Sequence, residues 1–319
     1  MQEFDLIRNY FSKLAKNNKS ALDLNDDVFF NKNKRLIISV DTYNEGVHFP
    51  NFKNPSLIIK KILRSSLSDL ICKGVKPKYY FISGAGNKKS FSKKNLKKIS
   101  DSLSEEQKKY DIKLCGGDTT FSKNLSFTFI SIGFSKKIIY RNKAEPRDDI
   151  YVTGNLGNSY IGLQILKRKI KLNKKDHNYF INEFYKPNIQ IKLTDKLFKF
   201  SNSSIDISDG LFDDLEKLIN KQKLNYYIEL DKIPISKSLQ SIIQKSKINK
   251  IKFVSNGDDY QILFTANKNK SRIIKKISSE LSVKITKIGK ILPSSQKSCI
   301  IDKNGNNIGL KKKGYIHQF

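Results

Sequence analysis

The chain has 319 residues, 38% of them hydrophobic, enough for two domains of ordinary size with real cores. Its 61 Lys and Arg against 30 Asp and Glu leave a formal charge of +31, yet no stretch approaches the ~18 apolar residues of a membrane span, which excludes a helical membrane protein. Cys72, Cys115 and Cys299 lie far apart with no CxxC spacing, which excludes a disulfide framework and a cysteine zinc site and fits a reducing interior.

Met1-Gln2-Glu3-Phe4-Asp5 carries acids where a signal peptide carries bases, so a soluble cytoplasmic protein is expected. The lysines are spread along the chain beside many Asn and Ile. That spread favours compositional drift over a nucleic-acid-binding stripe, although phosphorylated small substrates would still benefit from the field.

Leu36 to Val40 is an apolar run that reads as a strand ending at Asp41. Asn54-Pro55 suits the cap and first position of a helix with apolar residues at Ile58, Ile59, Ile62, Leu63, Leu67, Leu70 and Ile71, stopped at Gly74. Lys78 to Ser83 reads as a strand, Asn95 to Tyr110 as a helix, Ile112 to Cys115 as a short strand ending at Gly116-Gly117-Asp118, and Phe127 to Phe134 as an alternating strand.

Ala144 to Asp149 is a polar turn before a new strand, Ile150-Tyr151-Val152, and marks a domain boundary near 145. A glycine turn and helix (Gly154 to Leu166), a helical region to about Phe200, an Asp-rich turn at Asp206 to Gly210 and a helix from Leu211 to Lys221 follow. Strands are expected near Tyr226–Leu230 and Tyr260–Phe264. The alternation predicts an α/β or α+β protein of two similar domains, 1–145 and 146–319.

No GxxxxGK[ST] or GxGxxG is present. Ser83 to Ser90 imitates a P-loop but lacks the glycine before the lysine. Gly154-Asn155-Leu156-Gly157 offers a phosphate cradle at a helix start or, more simply, a structural turn. The aspartates say more. Asn25-Asp26-Asp27, Val40-Asp41-Thr42, Ser68-Asp69, Gly117-Asp118-Thr119-Thr120 and Asp206-Ile207-Ser208-Asp209-Gly210 are short acidic segments at element ends, and converging carboxylates with substrate phosphates are what Mg²⁺ asks for. Taken singly, Asp26 and Asp27 suit a plain turn, and Ser208 and Asp209 suit a helix cap. Asp69 is harder to dismiss, because it lies in the last turns of its helix, where the dipole disfavours a carboxylate. Ser65, Ser66 and Asp69 form a polar stripe beside the apolar face. Three histidines leave little room for histidine metal chemistry, and nothing pairs a nucleophile with His48 as a hydrolase triad would.

The ordered series Asn25-Asp26-Asp27, Ser39-Val40-Asp41-Thr42, Val47-His48-Phe49, Leu67-Ser68-Asp69-Leu70, Gly116 to Thr120, Val152-Thr153-Gly154, Asp206 to Leu211, Asn256 to Tyr260 and Lys313-Gly314-Tyr315 resembles the thiamine-monophosphate kinase family, within the aminoimidazole ribonucleotide synthetase superfamily. The resemblance runs from about Phe4 to Phe319. It implies that superfamily's two-domain fold, with an N-terminal mixed sheet used for homodimerisation and a C-terminal α/β domain completing the cleft. It implies ATP-dependent phosphorylation of thiamine monophosphate to thiamine diphosphate with several Mg²⁺ ions. By similarity, Asp27, Ser39, Asp41, Asp69, Asp118, Asp206 and Asp209 would be metal ligands, with Asp118, Asp209 and Asp41 central to catalysis. Gly117, Asp118, Arg141 and Ser208 would contact ATP, with Tyr110 against the nucleotide. His48, Asp258 and Tyr315 would contact the thiamine substrate.

Three positions depart from the family pattern. Asn25 stands where a glycine is usual. Val40 stands where a threonine is usual, so a metal contact there would use the backbone carbonyl. Asp258 is one methylene shorter than the usual glutamate. Other enzymes of the superfamily are the nearest alternatives. A selenophosphate synthetase would need a reactive cysteine near the N-terminus, and the first here, Cys72, lies inside a helix. A basic RNA-binding module would explain the charge but none of the aspartates.

Overall fold

The computed structural model describes residues 3–246, 248–310 and 313–315; Met1, Gln2 and Phe319 therefore lie outside the described residues. The chain starts with a short helix α1 (Glu3–Leu6), then β1 (Phe29–Asn31), β2 (Leu36–Asn44), α2 (Pro55–Cys72), β3 (Pro77–Gly86), α3 (Lys93–Tyr110), β4 (Lys113–Phe121) and β5 (Ser126–Phe134). These strands form one sheet in the order β1-β2-β5-β3-β4, antiparallel except for the β3/β4 pair that α3 connects.

The remainder comprises β6 (Asp149–Thr153), α4 (Asn158–Leu166), α5 (Lys174–Tyr185), α6 (Thr194–Leu197), β7 (Ser203–Asp206), α7 (Leu211–Ile219), β8 (Leu224–Glu229), α8 (Lys237–Ser246), α9 (Ile251–Val254), β9 (Ile262–Ala266), α10 (Ser271–Leu281), β10 (Ile285–Pro293) and β11 (Cys299–Ile301). The second sheet runs β11-β8-β10-β6-β9-β7. Both sheets are mixed, so the architecture is the α/β (α+β) one expected.

Helix α2 fixes the relation between the two sheets. Its apolar positions, Ile58, Ile59, Ile62, Leu63, Leu67 and Ile71, are 1% exposed or less. They join a core with Tyr43, Tyr80 and Phe129 on one side and Tyr151, Phe184, Leu197 and Phe264 on the other. A helix buried nearly all round must satisfy its polar side chains inside the protein.

Two local expectations change. The strand expected to stop at Cys115 runs on through Gly116-Gly117-Asp118 to Phe121, hydrogen-bonded beside β3. A Cβ at Gly117 would lie 1.7 Å from the Ile82 carbonyl oxygen, so glycine here permits strand pairing across a register shift. And Ser208 and Asp209 do not cap α7. The flanking residue is Gly210, and Asp214 from the first turn turns back to accept the Asp209 and Gly210 amides at 3.0 Å each.

Candidate active site

The polar residues of α2 recur at Lys61, Arg64, Ser65, Ser68, Asp69 and Lys73, the three-to-four spacing of one helix face. Lys61 pairs with Asp258 at 2.6 Å and lies 4.0 Å from the centroid of the Phe184 ring. Arg64 makes a two-pronged pair with Glu106 at 2.7 and 2.8 Å. Ser68 donates to Asp206, and Lys73 pairs with Asp26 and Asp27 at 2.7 and 2.6 Å. One stripe thus ties the acidic segments to a rigid element.

Strand alternation sends Ser39, Asp41 and Tyr43 of β2 toward α2 and leaves Val40 60% exposed on the other face. Ser39 Oγ donates to Asp69, and Asp41 and Asp69 share a hydrogen bond. Carboxylate oxygens of Asp27, Asp69 and Asp206 all lie within 4.8 Å of one another. Trans oxygens around an octahedral Mg²⁺ are about 4.2 Å apart, so hard donors at this spacing fit that ion. Burial raises Asp41 to about 6, against the pull of hydrogen bonds from Tyr43 and Asp69. Burial, then the charges of Asp41 and Asp206, holds Asp69 well above the ordinary carboxylate range. Burial also raises Asp206, offset in part by its Ser68 hydrogen bond. These groups cannot all ionise cheaply without a cation among them.

Arg141 stands between this cluster and a second one. Its guanidinium pairs with Asp27, and its backbone amide donates to Asp26 at 3.1 Å. Burial lowers its pKa against the opposing charges of Asp26, Asp214, Asp206 and Asp209. In the second cluster, oxygens of Asp209, Asp213 and Asp214 again lie within 4.8 Å of one another, and Lys217 bridges all three.

Asp41, Asp69, Asp206, Ser208 and Asp209 line a cavity of about 510 Å³. His48, Asp258, Tyr260 and Tyr315 line it as well, with Lys167 and Lys169. His48 is oriented by the Asn44 amide, which donates to its Nδ1 at 2.9 Å, and by Tyr43, whose ring meets it edge-on. The Asp258 amide donates to the Ser208 carbonyl at 2.8 Å, and the Tyr260 hydroxyl donates to the Asp258 carboxylate at 3.0 Å. A Cβ at Gly257 would sit 1.7 Å from the Ser208 carbonyl oxygen, so only glycine lets the loops meet this closely. The Tyr315 amide donates to the Asp209 carbonyl at 2.9 Å.

Four expected site residues lie elsewhere. Gly117 and Asp118 are on β4, the edge strand, exposed along its whole length and outside the cavity lining. Val40 offers the cluster only backbone. Tyr110, expected against a nucleotide, has its ring 4% exposed in the core, 5.6 Å from the Arg64 guanidinium. The Gly154–Gly157 turn is already filled, since Asp259 accepts the Gly157 amide at 2.8 Å. The sequence reading missed Lys61, Lys73, Lys217 and Tyr260 as site residues. The three-to-four spacing of polar residues on α2 was the available signal for the first two.

The chain matches the family described as AIR synthase related protein, N-terminal domain, over residues 24–134. It is 36% identical to the thiamine-monophosphate kinase of Buchnera aphidicola subsp. Acyrthosiphon pisum, over 99% of this chain and 98% of that protein. It is 31% identical to that of Escherichia coli strain K12, again over 99% and 98%. Among solved structures it is similar to AaThiL complexed with AMPPCP and TMP, at a TM-score of 0.84 and 25% identity, over 99% of this chain and 97% of the other.

Proposed function

This chain belongs to the thiamine-monophosphate kinase family, and we propose that its central cavity transfers the γ-phosphoryl group of ATP to thiamine monophosphate, releasing thiamine diphosphate and ADP. One observation carries the reading: Asp41, Asp69, Asp206 and Asp209, from three separate segments, line the same cavity as His48, Asp258 and Tyr315.

Two polyanions must be brought together for this reaction, so positioning and charge neutralisation are the main tasks. Asp27, Ser39, Asp41, Asp69, Asp206 and Asp209 would hold Mg²⁺ ions, with Asp118 and the Val40 carbonyl as outer contributors. Bound Mg²⁺ would neutralise the phosphates and draw charge from the bridging oxygen as it leaves. Arg141, Ser208 and the Gly117-Asp118 strand are the proposed nucleotide contacts. His48, Asp258 and Tyr315 are the proposed contacts to the thiamine moiety. Lys61 holds Asp258 against Tyr260 and so presets that end of the cavity. The acceptor phosphate is ionised at neutral pH, so an in-line attack needs no general base from the chain.

We further propose the division at 145/146, since the first sheet lies wholly before it and the second wholly after. The outer face of the first sheet supports a homodimer. Val40, Tyr79 and Phe134 are 60%, 40% and 51% exposed there, and a strand as open as β4 offers unpaired backbone to a partner. We place the reaction in the cytoplasm; no helix among the described residues is long and apolar enough to cross a membrane. Incubation with ATP, Mg²⁺ and thiamine monophosphate should yield thiamine diphosphate and ADP, with no product from free thiamine. Absence of thiamine diphosphate at saturating ATP and Mg²⁺ would overturn the assignment.

A further inference from the structure

Lys73 is 0% exposed and caps the C-terminal end of α2, four residues beyond Asp69. An ammonium has three donors. Here they go to Asp26 at 2.7 Å, Asp27 at 2.6 Å and the Ser204 carbonyl at 2.8 Å, two residues before Asp206 on β7. Three oxygens from two segments, the Asn25–Asp27 loop and β7, therefore surround one buried positive charge, beside the Asp27, Asp69 and Asp206 cluster. The Asp26 and Asp27 carboxylates are otherwise engaged by Arg141, through its guanidinium and its amide, and by the Asp27 amide, which donates to Asp26.

We propose that Lys73 is a built-in cation that takes a position a divalent ion would otherwise fill, and so sets how many ions this acid cluster binds. A lone buried carboxylate pair would be prohibitive, and a buried ammonium with three oxygen partners removes the penalty without any ion from solution. Because Lys73 directly follows the last residue of α2, the Asn25–Asp27 loop is held against the helix end even when no metal is bound. Asp27 then presents to the cavity only what Lys73 and Arg141 leave unused. The divalent ions that enter are left to the Asp41, Asp69 and Asp206 side. The same arrangement explains how Asn25 can replace a glycine: the loop is tied down by its two following carboxylates, and Asn25 itself is held by a reciprocal amide pair with Asn220 at 3.0 Å.

The inference rests on the proposed metal role of Asp27, Asp69 and Asp206. Its test is a Mn²⁺ titration of the full chain without nucleotide, in which the free-ion electron paramagnetic resonance signal counts bound ions. Lys73→Met should bind about one more ion per chain than the wild type. Asp26→Asn combined with Lys73→Met should lose that extra ion. The thermal midpoint of Lys73→Met should fall below wild type in chelator and rise more steeply with Mn²⁺. Equal ion counts in wild type and Lys73→Met overturn the proposal, as does an extra ion that survives Asp26→Asn. A Lys73→Met chain that stays unfolded in millimolar Mn²⁺ overturns it too, because the ion then does not replace the ammonium. A wild type that binds no Mn²⁺ would instead overturn the metal reading itself.

Discussion

Asp69 lies three residues from the end of an 18-residue helix, facing the negative end of its dipole, half-buried, and beside two other carboxylates. The Ser39 hydrogen bond and the Lys73 charge favour its ionised form, but burial and the neighbouring carboxylates outweigh them, and a bound cation would resolve the conflict. Asp69→Asn should therefore lower kcat/KM at least about 100-fold, or about 2.7 kcal/mol of transition-state stabilisation, while the metal-free protein melts no lower than wild type. A variant that keeps near-normal turnover, or that melts well below wild type in chelator, would count against the metal role. Asp41 gives a pH signature. Its folded pKa of about 6 stands above the ordinary aspartate value of 3.8, so the folded state binds the proton more tightly. Stability of the metal-free protein should then be fully present below pH ~4 and fall as pH rises to ~7, by about 3 kcal/mol from this group. Thermal unfolding in chelator across that range reads the slope. Saturating Mg²⁺ should remove it, because the ion binds the ionised form. A metal-free midpoint that rises from pH 5 to 7 would show that Asp41 does not hold its proton in the folded state.

Elements differ in how far their sequence announces them. Helix α2 was legible because Asn54-Pro55, an apolar period and Gly74 bracket it, and because its apolar face packs on the sheet as the period requires. Asp69 was legible for the same reason, since a helix boundary fixes where a carboxylate is unwelcome. Lys61 and Lys73 were harder to read, because in a chain with 61 Lys and Arg only their three-to-four spacing along α2 sets them apart, and that spacing does not name the acids they meet. The β4 glycines misled the reading. They look like a strand end, yet they mark a place where Ile82 approaches too closely for a side chain. At this scale the exposed edge and outer face make their own claim. Phe134 and Tyr79 meet edge-on at 6.0 Å, 51% and 40% exposed, on a face that no element among the described residues covers. Phe134→Lys should shift a dimer toward monomer, as read by sedimentation at micromolar concentration. A wild-type chain that sediments as a monomer there would dismiss this face as an interface.

For the whole molecule, two sheets do not make two independent cores. Tyr43, Ile62, Leu67 and Phe129 from the first half share one hydrophobic cluster with Tyr151, Phe184, Leu197 and Phe264 from the second. The α2 stripe crosses the same divide through Lys61 to Asp258, Ser68 to Asp206 and Lys73 to Ser204. A chain cut at 145/146 would expose that apolar surface. It would also strand Lys61 and Lys73 with part of their partners removed, and uncompensated buried charge is costly. The full chain should therefore unfold in one cooperative transition, with circular dichroism and tyrosine fluorescence midpoints coinciding. Residues 1–145 expressed alone should fail to show a cooperative transition. Two separated transitions in the full chain would mean that α2 belongs to one domain only. The catalytic wall it organises would then be assembled by docking rather than by folding.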